Sequence, residues 1–179
     1  MTDESIMEAV KRGDLRQASI LFERYHKRIF NFLAKMTLDR ELAADLTQNV
    51  FFRLIRYRES FRPGRRFEPW VFQIARNVFS DHYQTQKNRV AVYVDVEKVK
   101  DNIEDENDGA ERDEKERQLH QSLARLTDEQ RELLILTRFE QMKYEDVAAI
   151  MQTSVANIKV KVHRALLKLR EYYFEVEKT

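Results

Sequence analysis

The sequence predicts an all-α protein of two small helical domains joined by a flexible acidic linker. Three observations predict it. Only three glycines and two prolines punctuate 179 residues, and 35% of the residues are charged, a composition of long solvated helices. Apolar residues recur at three- and four-residue spacing in both halves of the chain. Between the halves, KVKDNIEDENDGAERDEKE is acidic and nearly free of large apolar side chains, so it cannot bury a core.

The elements follow in order. Ile20, Leu21, Tyr25, Ile29, Phe32, Leu33 and Met36 make one apolar stripe, and Leu42, Leu46, Val50, Phe51, Leu54 and Ile55 make a second. Each predicts an amphipathic helix. Arg58 to Pro69 contains Pro63-Gly64 and reads as a loop. Pro69 suits the first turn of a further helix, which runs through Gln84. The VAVYVDV run from Val90 reads as a marginal strand or an extended segment. Thr127-Asp128-Glu129-Gln130 fits a capping box ahead of Leu133, Leu134, Ile135 and Leu136. A short helix spans about Tyr144 to Met151. A turn at Gln152-Thr153-Ser154 follows, with Ser154 placed to cap a last long helix. The expected domains are residues 1–90 and 118–179, with the linker at 91–117.

Composition excludes several classes of function. There is no cysteine, hence no disulfide framework or thiolate metal site. No apolar run approaches the ~20 residues of a membrane span, and MTDESIMEAV lacks the apolar core of a signal peptide. A cytoplasmic protein without membrane insertion is expected. His26, His82, His120 and His163 show no metal-ligand spacing, and no glycine-rich phosphate loop occurs. Neither a metal, a cofactor nor a catalytic residue is predicted.

Net charge is +1, but the charges are segregated. Arg53 to Arg89 holds nine Arg or Lys against three acids; Val90 to Glu116 holds four against eleven; Thr153 to Arg170 holds five against none. Two basic patches flanking an acidic strip suggest two polyanion sites, the alternative being ordinary solvated helix faces.

On a helical wheel, Val155, Ile158, Val162, Ala165, Leu166 and Leu169 share one face. The opposite face carries Ala156, Val160, His163, Arg164 and Leu167, flanked by Asn157, Lys159 and Lys161. A short helix, a tight turn and a helix with a basic outer face make a helix-turn-helix pattern. Lys and Arg suit phosphates or guanine edges, Asn suits adenine, and Val160 suits a thymine methyl. A three-helix bundle with a solvated face is the plainer alternative.

In the preceding domain, Val71, Ile74, Ala75, Val78 and His82 fall on one face, with Phe72, Phe79 and Tyr83 about 100° away. Beside them run Gln73, Arg76, Asn77, Ser80, Gln84 and Lys87. Rings next to cations suit single-stranded nucleic acid, each stack being worth ~1–3 kcal/mol. Core is an equally good reading for Trp70, Phe72 and Phe79 individually. A single-strand surface and a duplex reader on one chain suit the start of transcription.

These residues carry a resemblance. The chain resembles the bacterial RNA polymerase sigma factors of the sigma-70 family, and within it the short extracytoplasmic-function (ECF) group. DLTQNVFFRLIR is similar to the family's core-binding signature. FRPGRRFEPWVFQIARNVFSDHYQ resembles its loop and helix for the −10 element. LTDEQRELLILTRFEQMKYEDVAAIMQTSVANIKVKVHRALLKL resembles its domain for the −35 element. The chain's length leaves no room for the extra domains of primary sigma factors, which selects the ECF group. The resemblance implies partners: core polymerase, promoter DNA (duplex at −35, single-stranded at −10) and, for many members, an anti-sigma factor. It implies core contacts through Asp45, Gln48, Asn49, Phe52 and Arg56. It implies −10 strand contacts through Phe61, Arg65, Arg66, Phe67, Trp70, Arg76, Asn77, Ser80, Tyr83, Gln84 and Lys87. Phe61 to Phe67 would form a pocket for a flipped base. It implies −35 contacts through Ser154, Asn157, Lys159, Val160, Lys161, His163 and Arg164. The acidic linker would thread through the polymerase toward the RNA exit path.

Some positions depart from the family. Asn49 replaces Glu. Gln141 and Lys143 replace Gly and Ser before Tyr144, so that helix start lacks its capping hydroxyl. Ala156, Asn157 and Val160 replace Gly, Thr and Ser on the recognition helix. Two rivals remain: a stand-alone helix-turn-helix regulator, and a helical adaptor for an acidic protein.

Overall fold

Thr2 opens the first helix by accepting a hydrogen bond from the Ser5 N–H at 3.2 Å, and acidic Asp3 and Glu4 sit in its first turn. Both features favour a helix start. The computed structural model describes residues 1–90 and 110–177, with side chains described for 1–87 and 113–175. The chain divides into two compact units, Met1–Val99 and Lys100–Thr179. No strand occurs among the described residues.

The first unit contains α1 (Asp3–Lys11), α2 (Ala18–Thr37), α3 (Arg40–Arg56) and α4 (Phe67–Val90). No apolar period in the sequence announces α1. Ile6, Met7 and Val10 of this helix are fully buried. Gly13 ends it at φ +108, with Gly13 N–H donating to Val10 O and Asp14 N–H to Ala9 O, both at 3.0 Å. These two bonds close a left-handed helix cap, which glycine adopts without steric cost. Asp39 caps α3 by accepting from Leu42 N–H at 3.1 Å. α2 packs on α3, α3 on α4, and α1 on both α2 and α4. The stripe Leu21, Tyr25, Ile29, Phe32, Leu33 and Met36 is buried between them, as its spacing predicts.

The second unit contains α5 (Ala110–Arg125), α6 (Asp128–Leu134), α7 (Tyr144–Met151) and α8 (Val155–Glu177). The capping box at Thr127 forms in both directions, Thr127 with Gln130. A π-helical turn, Ile135–Phe139, continues α6, and Glu140 N–H donates to Ile135 O at 2.9 Å. Leu133, Leu134, Ile135 and Leu136 are buried, as are Val147, Ile150, Ile158 and Val162, and α6 and α7 both pack on α8.

One expectation on the linker changes, and another lies mostly outside the described residues. α5 begins at Ala110, so the end of the 91–117 stretch is helical. Its acids alternate with Arg112, Lys115 and Arg117, and charge mixing at helical spacing sustains a helix that net charge alone disfavours. Val90 closes α4, and the rest of the VAVYVDV run lies outside the described residues.

Candidate functional site

Three surfaces gather the chemistry. The first lies on α3. Asp45, Gln48, Phe52 and Arg56 are exposed and Asn49 half-buried, at spacings that place them on one stripe. Leu46, Val50 and Leu54 are buried behind them, while Leu42 is only half-buried. Phe52 stands 62% exposed among polar neighbours. An aromatic ring with a polar rim is the composition of a protein-binding hot spot. Arg53 is turned away from this stripe into an ion pair with Asp81 at 2.6 Å. Sequence reasoning missed what borders the stripe. An apolar cleft of about 260 Å³ is lined by Leu15, Ala18, Ser19, Phe22, Phe51, Leu54 and Ile55. Phe22 was the available signal, an aromatic ring off the buried stripe of α2. It stacks on His26 with 4.8 Å between centroids and sits edge-on to Phe51 at 4.9 Å.

The second surface is the loop before α4 and the outer face of that helix. Arg65 N–H donates to Arg62 O at 3.1 Å, closing a turn with Pro63 and Gly64 at its centre. Gly64 has φ +80, the value a type II turn requires at its third residue. The turn thrusts Arg62, Arg65 and Arg66 into solvent. Arg65 is steadied by donating to Gln73 Oε1 at 2.9 Å. Along α4, Asn77, Ser80, Gln84 and Lys87 are exposed, with Arg76 and Tyr83 half-buried beside them.

The rings of this loop require a correction. Phe61, Phe67 and Trp70 are not on the surface: they are 1%, 0% and 4% exposed. They form one cluster, with centroids 5.1 Å apart for Phe61 and Trp70 and 5.0 Å for Phe67 and Tyr25. Magnitudes explain the outcome. Stripping a buried ring from a core costs ~3–5 kcal/mol, more than the ~1–3 kcal/mol of a base stack. Phe72 and Phe79 are buried as well, so two of the three rings of the second stripe of α4 are core and Tyr83 is half-buried. Ile74 and His82, expected in the core, are half-buried. The helix also starts earlier than expected, with Phe67 as its first residue. What remains beside the loop is a shallow notch of about 190 Å³, lined by Glu8, Lys11, Arg12, Phe61 and Pro63.

The third surface is the α7–turn–α8 unit. Gln152 closes α7 with φ +55, and Ser154 Oγ accepts from Asn157 N–H at 3.1 Å to start α8. Lys159, Val160, His163 and Arg164 are exposed on the outer face, with Val160 48% and Leu167 54% exposed. Three expected contacts have other employment. Ser154 spends its hydroxyl on the cap. Asn157 donates its side-chain amide to Thr153 Oγ1 at 2.7 Å, which holds it in the turn rather than toward a base. Lys161 is tied to the Glu129 carboxylate of α6. Lys143 begins α7 with no side-chain cap, and Gln141 lies in the left-handed region at φ +52.

Known proteins share this organisation. Residues 21–89 match the family model described as Sigma-70 region 2, and residues 116–169 match Sigma-70, region 4. The matches stop and resume on either side of the acidic stretch. The chain is 32% identical to the RNA polymerase sigma factor CarQ of Myxococcus xanthus, over 96% of this chain and 97% of that protein. It is 30% identical to the ECF RNA polymerase sigma factor SigM of Bacillus subtilis, over 86% and 93% respectively. Among solved structures, the sigma factor RpoE in complex with the anti-sigma factor NepR from Bartonella quintana superposes with a TM-score of 0.73. It is 24% identical, covering 86% of this chain and 94% of that one. CnrH in complex with the cytosolic domain of CnrY gives 0.69 at 20% identity, over 94% and 95%.

Proposed function

The chain belongs to the sigma-70 family of RNA polymerase sigma factors, in its extracytoplasmic-function group, and from that premise we propose how it directs promoter-specific initiation of transcription. The observation that carries the reading is a pair of cationic faces of different shape. One is a loop and helix edge that follows a single strand; the other is a helix-turn-helix that fits a major groove.

Asp45, Gln48, Asn49, Phe52 and Arg56 bind the core polymerase, with Phe52 as the anchor and the cleft at Phe22 extending the contact. Arg62, Arg65 and Arg66 draw the phosphates of the opened −10 strand onto the loop. Arg76, Asn77, Ser80, Tyr83, Gln84 and Lys87 carry the strand along α4. With Phe61, Phe67 and Trp70 in the core, a flipped base uses the notch beside Lys11 and Pro63, not a stack on those rings. Lys159, Val160, His163 and Arg164 read the −35 duplex. Asn157 and Ser154 support that reading by building the turn.

The protein performs no bond-making chemistry of its own; the polymerase does that. It works in the cytoplasm beside the polymerase, and no helix among the described residues is long and apolar enough to cross a membrane. The RpoE and CnrH structures were solved with anti-sigma factor NepR and the cytosolic domain of CnrY. An inhibitory partner of that kind is proposed for this chain too, covering the apolar cleft and the exposed Phe52.

A titration of bacterial core polymerase against the fluorescently labelled chain tests the first step. Saturable binding at nanomolar concentrations is expected. Absence of binding to active core removes the reading and favours a stand-alone regulator.

A further inference from the structure

We propose that α1 is part of the strand-reading device, with Glu4 and Lys11 as positioning residues for the arginine loop. The inference rests on the reading that this loop meets the opened strand, and deepens it.

The loop is held at both ends by one helix. At its start, Lys11 Nζ donates to the Phe61 carbonyl oxygen at 2.7 Å. At its end, Phe67 N–H donates to Glu4 Oε1 at 3.0 Å. Phe67 is the first residue of α4, so the Glu4 carboxylate satisfies one of the amides that a helix start leaves without a partner. A carboxylate there is also favoured by the helix dipole. Both bonds are partly buried, which strengthens them relative to water. Between the two pins run Arg62 to Arg66, all exposed. The buried rings of Phe61 and Phe67 fix where the loop ends lie, and the two polar pins fix how the backbone leaves them.

The tip is therefore a preorganised turn carrying three guanidinium groups, set on a base that α1 supplies. Preorganisation matters because a loop that must order on binding loses part of its selectivity and affinity. The notch has the same builder. Lys11 lines it along with Glu8 of the same helix and Arg12, the residue that closes it. Loosening the pins moves the notch wall and the arginines together, and should blur discrimination between bases more than it weakens phosphate attraction.

The test uses the holoenzyme formed from the full chain and bacterial core polymerase. A randomised pool of single-stranded DNA is bound, and retained molecules are sequenced. The wild type is expected to enrich a short motif. Glu4→Ala should bind core and total pool as the wild type does, yet enrich the motif about fivefold less, the factor carried by one lost hydrogen bond. Glu4→Gln keeps an oxygen acceptor and should retain most of the enrichment. Thr2→Ala loses the cap of α1 without touching the loop and should behave as the wild type. Lys11→Met, which also takes a cation from the notch, should lower the enrichment too, and it serves if Glu4→Ala fails to fold. Enrichment unchanged in the pinned-loop variants, with the wild type selective, overturns the positioning role. A wild-type holoenzyme that binds core but enriches nothing removes the strand reading itself, and this inference with it.

Discussion

The Lys161 ammonium donates to the Glu129 carboxylate, so α8, the helix proposed to read the duplex, is tied to the start of α6. The pair is exposed, and pairs of this kind contribute only about 0–1 kcal/mol to stability. Its effect on binding should be larger. Glu129→Gln removes an acid beside the duplex surface and frees Lys161 for a phosphate. Affinity for duplex DNA should rise several-fold at low salt. The slope of log K against log salt should steepen by about one, the signature of one added phosphate contact. Binding titrations of the full chain over a salt series measure both.

Neighbouring rings on α3 should separate stability from function. Phe52 is exposed and Phe51 is buried, although they are adjacent in sequence. Phe52→Ala should leave stability within about 0.5 kcal/mol, yet weaken core polymerase binding tenfold or more. Phe51→Ala should cost about 3–5 kcal/mol of stability. Urea unfolding and core titration of the two variants distinguish the roles.

The departures from the family at the α6–α7 junction should be stability defects rather than functional ones. Gln141 is exposed and occupies the left-handed region at φ +52. Gln141→Gly should stabilise the second unit by about 0.5–1 kcal/mol by relieving that conformation. Lys143 caps nothing, and Lys143→Ser should add about 1 kcal/mol. Thermal unfolding should show both gains, with −35 selectivity unchanged.

Tyr25 gives the first unit an alkaline limit. Its phenol is pushed well above the ordinary tyrosine range, first by burial and then by the bond it donates to Asp3 Oδ2 at 2.5 Å. The folded state therefore holds the proton more tightly than the unfolded chain. The resulting stability is fully present below the unfolded value of about pH 10 and is lost as pH rises through the folded one. The urea midpoint of the wild type should fall above about pH 10. Tyr25→Phe should be less stable at neutral pH by about 1–3 kcal/mol and show a shallower alkaline decline.

Local rules made much of the fold legible. The capping box at Thr127, the cap at Ser154 and the span of α7 all rest on residues within four positions of each other, and the structure has them as read. The outer face of α8 followed from helical period, and the exposed stripe of α3 from that period together with the family resemblance. Long-range packing hid the rest. Nothing near Phe67 announces that Glu4 will cap it, because the partner comes from the other end of the domain. α1 itself is nine residues with three buried side chains, too few to declare a period before its packing surface is known. The rings of Phe61, Phe67 and Trp70 lie beside cations in sequence, which suggested a nucleic-acid surface. Only the tertiary cluster shows that the cations face out and the rings face in.

The most direct measurement is the mapping of RNA start sites made in vitro on genomic DNA by bacterial core polymerase, with and without this protein. The account predicts new starts that depend on the protein and share two upstream sequence motifs, one near −35 and one near −10. Those starts should be lost when Phe52 or Arg164 is replaced by alanine. An unchanged set of starts, with the core shown to be active, would contradict it.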